Sequence, residues 1–114
     1  MIEELEIYGF GSYFLCQPEY HDVDLLIVHR SDDPKSCLFA IQCKQYFISN
    51  VAGGDVTILS QHEEQQISFI AKSGARCLGK VDESCREGGL REILRRVSEA
   101  RTHGFVDQCY QIKT

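Results

Sequence analysis

The stretch Asp22-Val23-Asp24-Leu25-Leu26-Ile27-Val28 is the most apolar run of the chain, and it carries the fold. From residue 23 onward every position but 24 is apolar, the pattern of a central strand buried on both faces, where alternation is not required. In extended backbone residues i and i+2 face the same side, so Asp22 and Asp24 project together while Val23 points into the core. Two carboxylates about 4 Å apart repel by roughly 4 kcal/mol at an effective dielectric near 20. At the mouth of an apolar strand that repulsion calls for a bound cation or for a proton on one acid. Hard oxygen donors of this kind suit magnesium or manganese.

Working outward, residues 5–10 are aromatic-rich and alternate, predicting a first strand that ends at Gly11-Ser12. Asp32-Asp33-Pro34 opens a helix, with Asp33 as N-cap and Pro34 at the first helical position. Cys37, Leu38, Ala40, Ile41 and Phe47 are its expected inner face. Asn50 to Gly54 is turn-rich, and Asp55-Val56-Thr57-Ile58-Leu59 is a short β-branched strand. Ser60-Gln61-His62-Glu63 has the form of a capping box and predicts a helix over 61–73, with Ile67, Ile70 and Ala71 buried and Gly74 as its stop. Residues 77–81 read as an edge strand. A basic helix over about 87–103 carries Leu90, Ile93, Leu94 and Val97 at i, i+3, i+4 and i+7. Strands alternating with helices imply an α/β fold, a small mixed sheet flanked by helices.

At 114 residues, 43% apolar and 25% charged, the chain reads as one globular domain over 1–114. No run approaches the roughly 18 apolar residues of a membrane span, and the opening Met-Ile-Glu-Glu-Leu-Glu is acidic where a signal peptide is basic. A cytoplasmic location without membrane contact is therefore expected, and the six cysteines are expected as free, buried thiols. The net charge of −5 argues against bulk nucleic-acid binding but hides an asymmetry. Residues 1–64 hold eleven acids and three bases, and 65–114 six acids and nine bases. The first part is expected to attract cations and the second phosphates or an acidic partner. The final helix's arginines nevertheless read first as a solvated face, with Glu87–Arg91 and Glu92–Arg96 spaced as i,i+4 pairs. His21 and His62 read as surface residues. Cys85 and Cys109 lack a basic partner at diagnostic spacing, which excludes a cysteine nucleophile, and Gly88-Gly89 lacks the Lys-Ser/Thr of a P-loop.

A third acid, Asp55, follows the flexible Gly53-Gly54. If its strand lies beside that of Asp22 and Asp24, about 4.8 Å away, the three carboxylates converge at one sheet end. The ordered set Gly11-Ser12, then nine residues, then Asp22-x-Asp24, then Asp55 in a later strand resembles the DNA polymerase β-like nucleotidyltransferase superfamily, most of all its minimal members. The resemblance covers about residues 5–72. It implies the polymerase β-like fold and a transfer of a nucleoside monophosphate from a nucleoside triphosphate, ATP foremost, to a hydroxyl on a protein, RNA or small molecule.

In that scheme Asp22 and Asp24 coordinate two magnesium (or manganese) ions, and Asp55 ligates the second and helps deprotonate the hydroxyl. Gly11 and Ser12 bind the triphosphate, the first by close backbone approach, the second through its hydroxyl and nearby N–H groups. In-line displacement at the α-phosphorus releases pyrophosphate. The residues after Gly-Ser are Tyr13-Phe14-Leu15-Cys16, without the arginine that minimal members usually carry there. The family also contains a second possibility, a non-catalytic or partner-dependent antitoxin or regulatory subunit. A homodimer or a cognate protein partner is expected, with Tyr8, Phe10, Tyr13 and Phe14 as aromatic candidates for its interface.

Overall fold

A computed structural model describes residues 2–101. Strand β1 (Glu4–Phe10) leads through a single-turn helix α1 (Gly11–Phe14) and a loop into β2 (Val23–His29). Helix α2 (Pro34–Asn50) crosses over to β3 (Gly54–Ser60), two short helices α3 (Gln61–Ile67) and α4 (Phe69–Ser73) follow, and β4 (Arg76–Asp82) precedes α5 (Arg86–Glu99). The four strands form one sheet in the order β3-β2-β1-β4. β1 runs antiparallel to both β2 and β4, and β2 runs parallel to β3, so the sheet is mixed and the chain belongs to the α/β class. The parallel pair exists because α2 supplies the long crossover that parallel strands require.

β2 is buried along nearly its whole length, as its apolar run predicts. Its residues Leu25 and Ile27 join Leu5 and Ile7 of β1 and Val56 of β3 on the face covered by α2 and α5. Leu26 and Val28 are buried on the opposite face. There Phe69 of α4 meets Phe10 edge-on with ring centroids 5.0 Å apart. Burying each such aliphatic side chain contributes roughly 1.5–3 kcal/mol.

Pro34 stands at the first helical position of α2 and Asp33 at its N-cap, although the Asp33 side chain makes no capping hydrogen bond. The inner face of α2 is Ser36, Phe39, Ala40, Cys43 and Phe47. Ala40 and Phe47 match the sequence reading and Cys37 is half-buried, but Leu38 and Ile41 point to solvent with Ile48. Two apolar stripes overlap on this helix. The one holding Phe39 and Phe47 has the larger area to bury, and it sets the rotation.

The capping box of α3 is formed reciprocally: Glu63 N donates to Ser60 Oγ at 3.1 Å, and Ser60 N donates to Glu63 Oε1 at 2.8 Å. The single helix expected over 61–73 is instead broken at Ser68, whose backbone is left-handed (φ 53°, ψ 46°). Glu64 Oε2 accepts a bond from Ile70 N at 2.9 Å and supports the second helix across the break. Ile67 and Ala71 are consequently exposed and Ile70 half-buried, against expectation. Gly74 ends the segment with φ 68°, as expected of a C-terminal glycine.

β4 is the edge strand anticipated for residues 77–81. On α5, Leu90, Ile93 and Val97 are buried and Leu94 partly so. That helix ends at Glu99; of the expected span to 103, residues 102 and 103 lie outside the described residues, as does Cys109. Tyr13 and Phe14, expected near an interface, are buried in the chain's own core. Of the cysteines, Cys43 is buried, while Cys77 and Cys85 are exposed rather than buried.

Phe14 packs under Gly9, where an added Cβ would lie 2.7 Å from the ring. Gly9→Ala is expected to destabilise the protein by about 1–3 kcal/mol through overpacking. Gly88→Ala, at an open helical position, should stabilise it by about 0.4–1 kcal/mol. Urea titration of the two variants checks the contrast. Burial pushes the Cys43 thiol up to about 11, against a smaller opposing pull from Arg86. At pH 8 a disulfide-exchange reagent should therefore modify Cys77 and Cys85 in the native protein and Cys43 only after unfolding, as read by peptide mapping.

Candidate functional site

The parallel register of β2 and β3 places Asp24 directly opposite Asp55. Asp22 lies two residues before Asp24, on the same side of the extended chain, and Val23 between them is buried as expected. One carboxylate oxygen from each of Asp22, Asp24 and Asp55 lies within 4.8 Å of the other two. The three acids singled out in the sequence thus converge at one end of the sheet, through the strand adjacency on which their convergence depended.

Two glycines make that approach sterically open. Gly11 has φ +80°, and a Cβ there would lie 2.3 Å from Asp24 Oδ2. Gly11 therefore combines a left-handed backbone with direct contact between its Cα and the acid cluster, and any side chain would displace the Asp24 carboxylate. The link comes from the sheet itself, since Phe10 pairs with Asp24 across β1 and β2. Gly53, with φ +72°, fits against the backbone of His21 and Asp22, and its carbonyl accepts a bond from Val23 N at 2.9 Å. This contact holds the turn before Asp55 against the residues that bear Asp22. Ser12 follows Gly11 on α1 and is half-buried beside the acids' end of the sheet.

Burial raises the pKa of Asp24, and the charges of Asp55 and then Asp22 raise it further. Among the described residues no lysine or arginine forms an ion pair with any of the three aspartates. The ion pairs present, Arg95–Glu92, Arg95–Glu99 and Arg96–Glu92, run along α5. No ion pair joins Glu87 to Arg91 among the described residues. Three hard carboxylate donors this close, with no ion-pair partner among the described residues, are a group that could hold a metal ion. His21 and His62 are exposed, in keeping with surface roles.

A cleft of about 770 Å³ opens between Tyr46 and the start of α5, and it contains none of the aspartates. A smaller one of about 220 Å³ is lined by Tyr13, Tyr20, Val23 and Val51 with Leu94 and Val97 of α5. Donor chemistry, rather than cleft size, therefore marks the acid cluster as the candidate site. Sequence reasoning missed Arg101, which grips the loop between Ser12 and Asp22 from the end of α5. Only its helical spacing was visible in the sequence; its partners are 84 to 89 residues away.

Comparison with protein-family models, with curated proteins and with solved structures finds no match to this chain in any of the three. No helix among the described residues is long and apolar enough to cross a membrane.

Asp24→Asn removes one of three mutually repelling charges, so the metal-free variant should be more stable than wild type, by about 1 kcal/mol at this partly exposed site. Magnesium or manganese should raise the wild-type melting temperature, by an amount equivalent to about 2.7 kcal/mol at a hundredfold excess over Kd, and should leave Asp24→Asn unmoved. Scanning calorimetry with and without the ion measures both. An equal response of wild type and variant would contradict a metal site at Asp24.

Proposed function

We propose that this chain is a metal-dependent nucleotidyltransferase on a polymerase β-like fold, moving a nucleoside monophosphate from a triphosphate to a hydroxyl of a protein, RNA or small molecule. The observation that carries the reading is the convergence of Asp22, Asp24 and Asp55 on adjoining strands, with Gly11 in van der Waals reach of Asp24. The order of parts supports it as well: Gly11-Ser12 after the first strand, the acid pair entering the second, the third acid opening the strand parallel to it.

Asp22, Asp24 and Asp55 would hold two magnesium or manganese ions, whose charge neutralises the triphosphate and favours the deprotonated form of the attacking hydroxyl. Gly11 lets the nucleotide's phosphates approach the backbone, and Ser12 offers a hydroxyl donor beside them. The acceptor oxygen forms a bond to the α-phosphorus as the bond from that phosphorus to the bridging oxygen breaks, and pyrophosphate leaves with the electron pair. Asp55 takes the hydroxyl proton. The chain's contribution is placement and electrostatics, since the geometry of the strands fixes where the oxygens sit.

A protein partner remains part of this reading. Leu38, Ile41 and Ile48, each about half exposed on the outer side of α2, support contact with another polypeptide, whether a second copy or a cognate protein that the chain modifies or regulates. The free thiols of Cys37, Cys77 and Cys85 suit a reducing, cytoplasmic setting.

Incubation with each α-labelled nucleoside triphosphate, magnesium and whole-cell extract should transfer label to an acceptor and release pyrophosphate. Label from the γ-position appearing as orthophosphate, with nothing incorporated from the α-position, would mean a hydrolase or kinase instead. Asp55→Asn should slow the transfer by about 10²-fold or more while changing nucleotide affinity only a few-fold, the pattern of a group acting in the transition state.

A further inference from the structure

The loop from Ser12 to Asp22 joins two parts of the candidate site, and it contains no regular structure beyond α1. Its first half is closed by local bonds: Leu15 N to Gly11 O at 3.0 Å, Cys16 N to Tyr13 O at 3.3 Å and Gln17 N to Ser12 O at 3.1 Å. Cys16 takes a left-handed backbone with φ 60°, which turns the chain back on itself. Its second half, from Pro18 to His21, has no such backbone bonds among the described residues.

Arg101, one turn beyond the last buried residues of α5, reaches both halves. Its Nη1 donates to Tyr13 O at 3.0 Å and to Ser12 O at 3.3 Å, and its Nη2 donates to Gln17 O. The guanidinium lies 5.5 Å from the centroid of the Tyr13 ring and 4.7 Å from that of Tyr20, within the range of cation–π attraction. The two rings meet edge-on at 4.9 Å, and Tyr13 OH donates to Val97 O at 2.7 Å. A single planar cation thus ties Ser12, Tyr13 and Gln17 to Tyr20, which stands two residues before Asp22.

We propose that Arg101 is a positioning residue for the candidate site, fixing the Ser12–Asp22 loop so that Gly11-Ser12 and Asp22 address one bound nucleotide. The inference rests on the nucleotidyl-transfer reading above. Arg101 acts through the loop and not by touching substrate. Its bonded N–H groups face the carbonyl end of α1, whereas Asp24 meets the opposite end at Gly11. Arginine suits the task because its rigid fork serves several carbonyls at once while its faces stack on rings; lysine offers only a point charge. A displacement of 1 Å in such a framework can cost about 10²-fold in function.

The test is calorimetric titration of the intact protein with ATP in the presence of manganese. Arg101→Gln is expected to keep a cooperative melt and to lose about 10-fold or more in nucleotide affinity, with Arg101→Lys between it and wild type. In a Ser12→Ala background the same Arg101→Gln change should cost only about 2-fold, because groups that act as a unit are not additive. Should Arg101→Gln fail to fold, Tyr20→Leu removes the stacking from the loop side and should show the same loss. Wild-type affinity in these variants, or an undiminished loss in the Ser12→Ala background, overturns the positioning role alone. A wild-type protein that binds no ATP with manganese overturns the nucleotidyl-transfer reading, and this inference with it.

Discussion

The parallel pairing of β2 with β3 sets Asp24 beside Asp55, and the remainder of the site depends on that register. A slip of one residue would set Asp24 against Gly54 or Val56 and turn the apolar set of one strand onto the wrong face. What opposes the slip is the difference between the faces of β3, where Val56 is buried while Asp55 and Thr57 on the other side are not. Leu25, Leu26 and Ile27 are all fully buried, and their burial offsets the solvent-screened repulsion among the three partly exposed carboxylates. The most apolar strand can therefore carry the least compatible side chains at its mouth.

The approach of three acids also needs space, and the chain supplies it with missing side chains. Gly11 leaves room for the Asp24 carboxylate where any Cβ would collide with it, and Gly53 lets the turn before β3 lie against His21 and Asp22. Both have positive φ, so an alanine at either would carry backbone strain as well as a steric conflict. The acids, the glycine that contacts them and the turn that aligns them are thus parts of one local arrangement, held together by backbone pairing and, among the described residues, not by any salt bridge.

The portions legible in the sequence were those with local signals. The doubly apolar run of β2, the β-branched run of β3, the Ser60–Glu63 capping box and the Gly74 stop each announce themselves within a few residues, and each formed. The acid cluster was legible because its members sit at strand starts, leaving only strand adjacency to be supplied by the fold. The rotation of α2 was ambiguous, since Leu38, Ile41 and Ile48 form a stripe as plausible as that of Phe39, Cys43 and Phe47 until the sheet selects one. The break at Ser68 was hidden because Ser is compatible with helix and turn alike; Glu64 bonding to Ile70 N supports the broken form.

The basic second part of the chain illustrates a different limit. Counted as charge, it suggested a face for phosphates or an acidic partner, yet in the fold most of its helical arginines are engaged within the protein. Arg86 bonds to Gln42 of α2 at 3.0 Å, Arg96 to the Leu78 carbonyl of β4, and Arg101 to three carbonyls of the Ser12–Asp22 loop. Arg95 pairs with Glu92 and Glu99 on the exposed side of α5, where solvent screens the contact. A guanidinium bound to backbone carbonyls keeps its charge but commits its donors, so these residues act as ties between α5 and its neighbours. In the proposed nucleotidyl-transfer reading, contact with the phosphates at the acid cluster is assigned to the Gly11-Ser12 turn, whose carbonyl side Arg101 holds from behind.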